Sequence, residues 1–205
     1  MKSNNAFFKW DDEYSDNISG FPILAPWWSR HYEYPWAIRW AGKGMTVADM
    51  GCGYPSRPFK DMLACVVDNV YAVDTKPEIV SLPHADNIEF VIASFAQRIA
   101  AIPDGTLDRV FCISVLEDVN AYLCQAMAEF SRVLKPDGLV ILTMDVQYDM
   151  EKPLKQYPGI DWLEFWGAVA DADLQPVGHI RNDKEGIVHS EDFNLCCYHA
   201  VLEKV

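Results

Sequence analysis

Beyond about residue 45 the chain switches repeatedly between two hydrophobic periods. Met45–Asp49, Val70–Asp74, Ile88–Ile92, Arg109–Val115 and Leu139–Met144 are short, nearly unbroken apolar runs rich in β-branched residues, and they predict strands. Between the first two, Phe59, Met62, Leu63 and Val66 recur at helical spacing behind a capping Ser56. Lys76-Pro-Glu-Ile-Val predicts a short helix with Pro77 in its first turn, stopped before Pro83. A further helix is expected between the third and fourth strands, ahead of the turn Pro103-Asp-Gly. Asn120–Leu134 reads as an amphipathic helix with Tyr122, Ala126, Phe130, Val133 and Leu134 on one face, halted by Lys135-Pro-Asp-Gly. Asp161 and Glu164 make a capping arrangement that opens another helix. Pro176–Ile180 and Leu195–Leu202 are two more strand candidates, separated by an irregular polar stretch and expected to pair antiparallel at one edge.

Strands this continuously apolar, alternating with helices, imply a parallel sheet covered on both faces. Residues 45–205 therefore read as an α/β domain, doubly wound, with a mostly parallel seven-stranded sheet and an antiparallel C-terminal edge pair. Residues 1–44 differ. They hold five of the seven tryptophans (Trp10, Trp27, Trp28, Trp36 and Trp40) together with Tyr14, Tyr32 and Tyr34. Tyr34-Pro-Trp-Ala-Ile-Arg-Trp predicts a helix ended by Gly42. This extension is too short for a domain of its own and is expected to pack on the sheet domain or to cover a site as a lid.

Composition narrows the function. At 205 residues with half of them apolar or aromatic, the chain suits one soluble domain with a substantial core. No apolar stretch is long enough for a bilayer, and no signal-peptide h-region is visible, so a cytoplasmic location and no membrane partner are expected. A net charge of −13 repels phosphate backbones and disfavours nucleic acid, while suiting a small or cationic ligand. The six cysteines form no C-x-x-C and no zinc spacing, so neither a metal nor a disulfide scaffold is expected. Cys196 and Cys197 are neighbours whose side chains would face opposite sides of a strand.

The chemistry concentrates at Val47-Ala-Asp-Met-Gly-Cys-Gly53. In an open parallel sheet, ligands bind beyond the carboxyl ends of the strands, where strand order reverses. Gly51 and Gly53 let the loop turn sharply and the backbone approach a ligand. Asp74 closes the second strand 21 positions after Gly53, a spacing suited to a carboxylate that accepts from both ribose hydroxyls. A nucleoside-bearing cofactor follows. A dinucleotide fits poorly: the third Gly of G-x-G-x-x-G is missing, and Asp49 sets negative charge where a pyrophosphate would lie.

At this point the chain resembles the class I, Rossmann-like S-adenosylmethionine-dependent methyltransferases. The resemblance rests on V-A-D-M-G-C-G (47–53), V-Y-A-V-D (70–74), I-P-D-G-T-L-D-R-V-F-C-I-S-V-L-E-D-V (102–119) and R-V-L-K-P-D-G-L-V-I-L-T (132–143), in that order. It implies S-adenosylmethionine as cofactor, with Asp49, Gly51 and Gly53 near its methionine part and Asp74 on the ribose. It implies adenine against the loop after the third strand, where this chain has Ser94 and Phe95 instead of the frequent acid. Ser94 offers a weaker bond to the adenine amine, and Phe95 a backbone N–H and an apolar wall. Ser114 to Glu117 would border the sulfonium and the substrate, with Glu117 as a carboxylate base. Asp118 stands where many relatives carry His; capping of the next helix is its alternative role. Arg30, with Tyr32 and Tyr34, is a candidate for the cofactor carboxylate, against the alternative that this aromatic stretch only packs. His31 is a candidate base. No Asn/Asp-Pro-Pro-aromatic signature follows the fourth strand, which points from nucleobase and amide acceptors to a small molecule. The competing readings are a non-catalytic relative that binds the cofactor or a protein partner, and a nucleotide-dependent oxidoreductase.

Overall fold

The computed structural model describes residues 3–24, 26–53, 57–81, 83–154 and 158–205. The chain opens with β1 (Ala6–Phe7), the small hairpin β2 (Asn17–Ile18) and β3 (Phe21–Pro22), and helix α1 (Arg30–Ile38). Then come β4 (Thr46–Met50), α2 (Phe59–Ala64), β5 (Asn69–Asp74), a 3-10 turn over Pro77–Ser81, β6 (Ile88–Ile92) and β7 (Leu107–Ile113). A second 3-10 turn, Leu116–Tyr122, leads into α3 (Leu123–Val133), followed by β8 (Leu134–Gln147), α4 (Trp162–Asp171), β9 (Leu174–Pro176), β10 (His189–Ser190) and β11 (Leu195–Lys204).

The main sheet runs β1-β11-β8-β7-β4-β5-β6. Strands β4 to β8 pair in parallel, and β11 lies antiparallel to β8 with Cys197 opposite Asp145. Strand order reverses at β4, which has β5 on one side and β7 on the other, so the loop holding Gly51 and Gly53 leaves the sheet at its switch point. Alternate residues feed two cores. Ala48, Val110, Leu142 and Cys196 face α3 and α4 through Phe130 and Phe165, while Val47, Phe111, Ile141 and Cys197 face α1 and α2 through Trp36 and Phe59. Cys196 and Cys197 thus lie on opposite faces.

The aromatic N-terminal segment belongs to this architecture rather than hanging from it. Ala6 and Phe7 pair with His199 and Tyr198 and cover the edge of β11. Helix α1 begins at Arg30, four residues before the expected start, and carries Pro35 inside it. Pro35 cannot donate to the carbonyl of His31, and that freed acceptor takes the amide of Ser15 at 2.9 Å. The residue that should weaken the helix becomes the tie for the preceding loop.

Other differences from the sequence reading have local causes. No helix forms over residues 93–106. There the Ile99 amide donates to Glu129 Oε1 at 2.7 Å, and the Ile99 and Ile102 carbonyls accept from Arg132 Nη2, so α3 side chains hold a chain of turns. Tyr122 is 54% exposed and is not part of the buried face of α3, because a 3-10 turn replaces that helix's expected first residues. Lys135-Pro-Asp-Gly ends the helix but lies within β8, where Leu134 pairs with Leu107 ahead of a register shift. The last strand pair forms as β9 against β11, but residues 177–180 leave the ladder, with Gly178 at φ +87°. The cap at Asp161 forms, accepting from the amides of Leu163 and Glu164. Ser56 lies outside the described residues. Among the described residues, no helix is long and apolar enough to cross a membrane.

Glu129 is 5% exposed and also holds Arg132, with Nε on Oε2 at 2.7 Å. Glu129→Ala should therefore strand both the Ile99 amide and the guanidinium, costing about 2–4 kcal/mol in chemical denaturation. Glu129→Gln, which keeps an acceptor for Ile99, should cost less.

Candidate active site

The apolar run of β4 carries the chain through the core and ends at Met50, where the backbone must leave the sheet. Gly51 has φ +81° and Gly53 φ +65°. A Cβ on Gly51 would lie 2.5 Å from Val115 Cγ1, and one on Gly53 2.6 Å from Arg57 Cδ. Backbone sign thus favours glycine at both positions, and Val115 adds a bar of space at Gly51. The loop is pinned to β5: the amides of Gly51 and Cys52 donate to Val73 O at 2.8 and 3.0 Å, and the Gly53 amide donates to Asp74 Oδ2 at 2.8 Å. Asp74 Oδ1 accepts from the Lys76 amide at 3.1 Å, so backbone donors fix both carboxylate oxygens.

A cavity of about 450 Å³ opens against this loop. Gly51, Gly53, Asp74, Ala93–Phe95 and Val115 form its walls, and Trp27, Arg57 and Asp118 stand at one side. Ser94 Oγ accepts from the Ala96 amide, which tightens the loop after β6, and Phe95 is buried against Phe130. The open space against the glycine loop, with a fixed carboxylate on its wall, has room for a nucleoside.

A second cavity, of about 190 Å³, adjoins the first and shares Trp27, Arg57 and Asp118 with it. Trp28, Arg30, Ser114, Glu117, Asp145 and Phe193 complete its wall. Behind it lies a buried polar cluster. Glu33, fully buried on α1, accepts from Arg30 Nη1 at 2.5 Å, from Ser114 Oγ at 2.7 Å and from Cys197 Sγ at 2.8 Å. Arg30 Nη2 also donates to Ser114 O at 3.3 Å. Ser114 itself has φ +45°, a strained conformation for a residue with a Cβ, held by its amide on Thr143 and its hydroxyl on Glu33.

Charge in this region is out of balance. Burial opposes the Arg30 charge, but Glu33, Tyr34, Asp145 and Glu117 outweigh it and hold the guanidinium protonated. Burial and the Glu33 charge push Asp145 up to about 7 against the pull of Arg30. Burial and Asp145 push Glu117 well above the usual carboxylate range. Glu117 Oε2 and Asp145 Oδ1 are buried and meet no hydrogen-bond partner among the described residues.

The expected site residues divide between the two cavities. Gly51, Gly53, Asp74, Ser94 and Phe95 line the larger one, and Ser114, Glu117 and Arg30 the smaller. Asp49 lines neither. It is 4% exposed beneath the loop, and burial pushes it up to about 7 despite Lys60 and Arg57 nearby. Arg30 is committed to Glu33, which leaves Arg57 as the cation at the junction of the cavities; it makes no ion pair among the described residues. Tyr32, Tyr34 and His31 line neither cavity. Tyr34 stacks on Phe59, and His31 bonds to Ser15 O and Asp16 while stacking on Tyr14. Sequence reasoning passed over Arg57, Glu33 and Asp145, and took Trp27 only as part of the aromatic extension. Two had a visible signal: Glu33 stands one helical turn after Arg30, and Asp145 interrupts an apolar strand as Asp49 and Asp74 do.

Two outcomes follow for the glycine loop. Gly51→Ala must move Val115 and adopt positive φ, so it should lower the melting temperature and abolish nucleoside binding. Asp49 sets a pH dependence. Its folded value near 7 exceeds the unfolded carboxylate value, so the folded chain keeps a proton that the unfolded chain has lost. The stability this lends is full below about pH 4 and fades as pH rises toward 7. Melting temperatures between pH 5 and 8 should fall with pH, and the fall should be shallower in Asp49→Asn.

The description "Methyltransferase domain" belongs to the family model that matches residues 48–142. A search of curated protein sequences gives no match. Among solved structures, a geranyl diphosphate C-methyltransferase from Streptomyces coelicolor, solved with S-adenosyl-L-homocysteine, is 14% identical with a TM-score of 0.65, over 86% of this chain and 80% of that one. The [4+2]-cyclase SpnF is 12% identical with a TM-score of 0.69, over 97% and 87%. A 1,6-didemethyltoxoflavin-N1-methyltransferase from Burkholderia thailandensis, also holding S-adenosylhomocysteine, is 18% identical with a TM-score of 0.61, over 84% and 76%. Residues 48–142 thus match a methyltransferase domain, and the strand order gives the chain the Rossmann-like fold of the S-adenosylmethionine-dependent methyltransferases to which it is similar.

Proposed function

We propose that the protein transfers the methyl group of S-adenosylmethionine to a small-molecule acceptor seated in the smaller cavity. The observation that carries this reading is the pair of adjoining cavities with different chemistry, one walled by the glycine loop and Asp74, the other by aromatic rings and buried carboxylates. In this reading Asp74 takes the ribose, Ala93–Phe95 the adenine, and Arg57 the methionine carboxylate. Trp27 stands where the two cavities meet, so the transferable group would face the acceptor across it.

The bound cofactor supplies an already activated methyl group. What the chain must add is alignment of the nucleophile and exclusion of water, and such positioning supplies roughly 7–11 kcal/mol in well-oriented cases. Trp27, Trp28 and Phe193 supply the dry wall. Glu117 and Asp145 accept a proton where the acceptor brings one. A small acceptor also suits the size of the cavity, about 190 Å³, and the acidic surface argues against a nucleic-acid substrate.

Calorimetric titration with S-adenosylmethionine, S-adenosylhomocysteine, adenosine and NAD tests the cofactor half. Asp74→Ala should weaken S-adenosylmethionine, S-adenosylhomocysteine and adenosine by about 10–100-fold. Arg57→Ala should weaken the two amino-acid-bearing ligands by a similar factor and leave adenosine unchanged. Tight NAD binding, or indifference of both variants, would sink the assignment. Binding without methyl transfer to any acceptor would instead favour a cofactor-binding protein without methyl-transfer activity.

A further inference from the structure

The smaller cavity has three carboxyl groups in or behind its wall, Glu33 and Glu117 buried and Asp145 half-buried, against the guanidinium of Arg30, while Arg57 and the exposed Asp118 stand at the junction with the larger cavity. Arg30 is spent on Glu33 at 2.5 Å, and Glu33 has its remaining oxygen filled by Ser114 and Cys197. That leaves Glu117 Oε2 and Asp145 Oδ1 as two acceptor atoms, both buried and both without a hydrogen-bond donor among the described residues. Glu117 is only 6% exposed, so water does not replace the missing donor cheaply. A ligand that brings two N–H donors and a positive charge answers both deficits at once, and rings on the same wall favour a cation further.

We propose that the methyl acceptor is a small primary or secondary amine, bound as its ammonium through Glu117 and Asp145 with Trp27 and Trp28 against its apolar part. This rests on the cofactor reading above. A divalent metal is the competing occupant, since Glu33, Asp145 and Cys197 bring ligand atoms within 4.8 Å of one another. The guanidinium of Arg30 already occupies Glu33, and the Cys197 thiol donates to that same carboxylate, so it is held as a thiol rather than the thiolate a metal needs. An alcohol would supply a single donor and no charge, and a carboxylic acid would add a fourth acid.

The reaction balances with these groups. One carboxylate takes a proton from the ammonium and frees the nitrogen lone pair. The nitrogen then bonds to the methyl carbon as the carbon–sulfur bond breaks, the bonding pair staying on sulfur. The products are the methylated ammonium and S-adenosylhomocysteine. A second proton leaves with the carboxylate or to solvent when the amine is released neutral.

The test compares isosteric probes on the protein saturated with S-adenosylhomocysteine, by ligand-observed magnetic resonance and thermal shift. Benzylamine and phenethylamine should bind at least tenfold tighter than benzyl alcohol and phenylacetate. Glu117→Gln and Asp145→Asn should each reduce amine binding about tenfold while S-adenosylhomocysteine affinity stays within twofold. With S-adenosylmethionine, the labelled methyl should be recovered on nitrogen. Equal or better binding of the alcohol or the acid to the native protein overturns the amine assignment while the cofactor reading stands. A larger thermal shift with Mg²⁺, Mn²⁺ or Zn²⁺ that blocks the amines overturns it in favour of a metal. Failure of S-adenosylhomocysteine itself to bind overturns the cofactor reading, and the acceptor assignment with it. The probe series on the native protein decides the matter even if a carboxamide variant fails to fold.

Discussion

The buried carboxylate of Glu33 is the constraint around which the upper side of this sheet is arranged. It sits on α1, yet its hydrogen bonds reach the end of β7 through Ser114 and the start of β11 through Cys197. A fully buried carboxylate without compensation costs several kcal/mol, so its three donors are obligatory rather than decorative. Arg30 supplies the charge, and in doing so it brings α1 down onto the β7 end, where its other amino group meets Ser114 O. The strained backbone of Ser114 is tolerable because that residue is bonded at its amide, hydroxyl and carbonyl. Through this knot the aromatic N-terminal segment becomes part of the site: Trp27 and Trp28 precede the helix that Glu33 anchors and reach the cavity walls from there.

The glycine loop rests on a different logic, that of space. Val115 and Arg57 fill the places where side chains on Gly51 and Gly53 would go. The same crowding that forbids a Cβ lets the loop pack closely against the turn after β7 and still leave room for a ligand on its outer side. Asp74 then has two jobs. In the structure it accepts from Gly53 and Lys76 and so locks the loop to β5, and its position on the cavity wall leaves it open to a further donor.

Sheet, strand order and glycine loop were legible in the chain because each is written locally. Short apolar runs rich in β-branched residues and alternating with helical segments read as doubly covered strands, and two glycines after such a run mark a turn of special sign. Where the reading departed from the structure, a distant residue decided. Residues 93–106 have the composition of a short helix, but Glu129 and Arg132 on α3 take the backbone groups a helix would have used. Pro35 looks like a helix start and is a helix interior, because Ser15 relieves the orphaned carbonyl. Arg30 was visible as a cation near the site, but its partner Glu33 lies in a segment that reads as aromatic packing, and only the folded helix shows the charge to be spent. Asp145 carried a faint mark, an acid inside an apolar strand.

That spent charge bears on how one fold serves different acceptors. The larger cavity is set by features that any nucleoside-bearing methyl donor requires, and little in it distinguishes one acceptor from another. The smaller cavity is built from the ends of β7 and β8, the 3-10 turn after β7 and the segment leading into α1, all of which can change without disturbing the glycine loop. Here those elements bring Glu33, Glu117 and Asp145 to the guanidinium of Arg30, with Arg57 at the junction with the larger cavity. In such a site an excess negative charge is resolved in one of two ways: the acids hold protons, or a cation arrives. Burial, which raises the proton affinity of Asp145 and Glu117, favours the first. A bound cation is the second, and it exchanges one for the other at the same oxygens. With the proposed amine as acceptor, the groups that recognise it and the groups that take its proton would be the same atoms, so selectivity and chemistry in this cavity would have to be altered together.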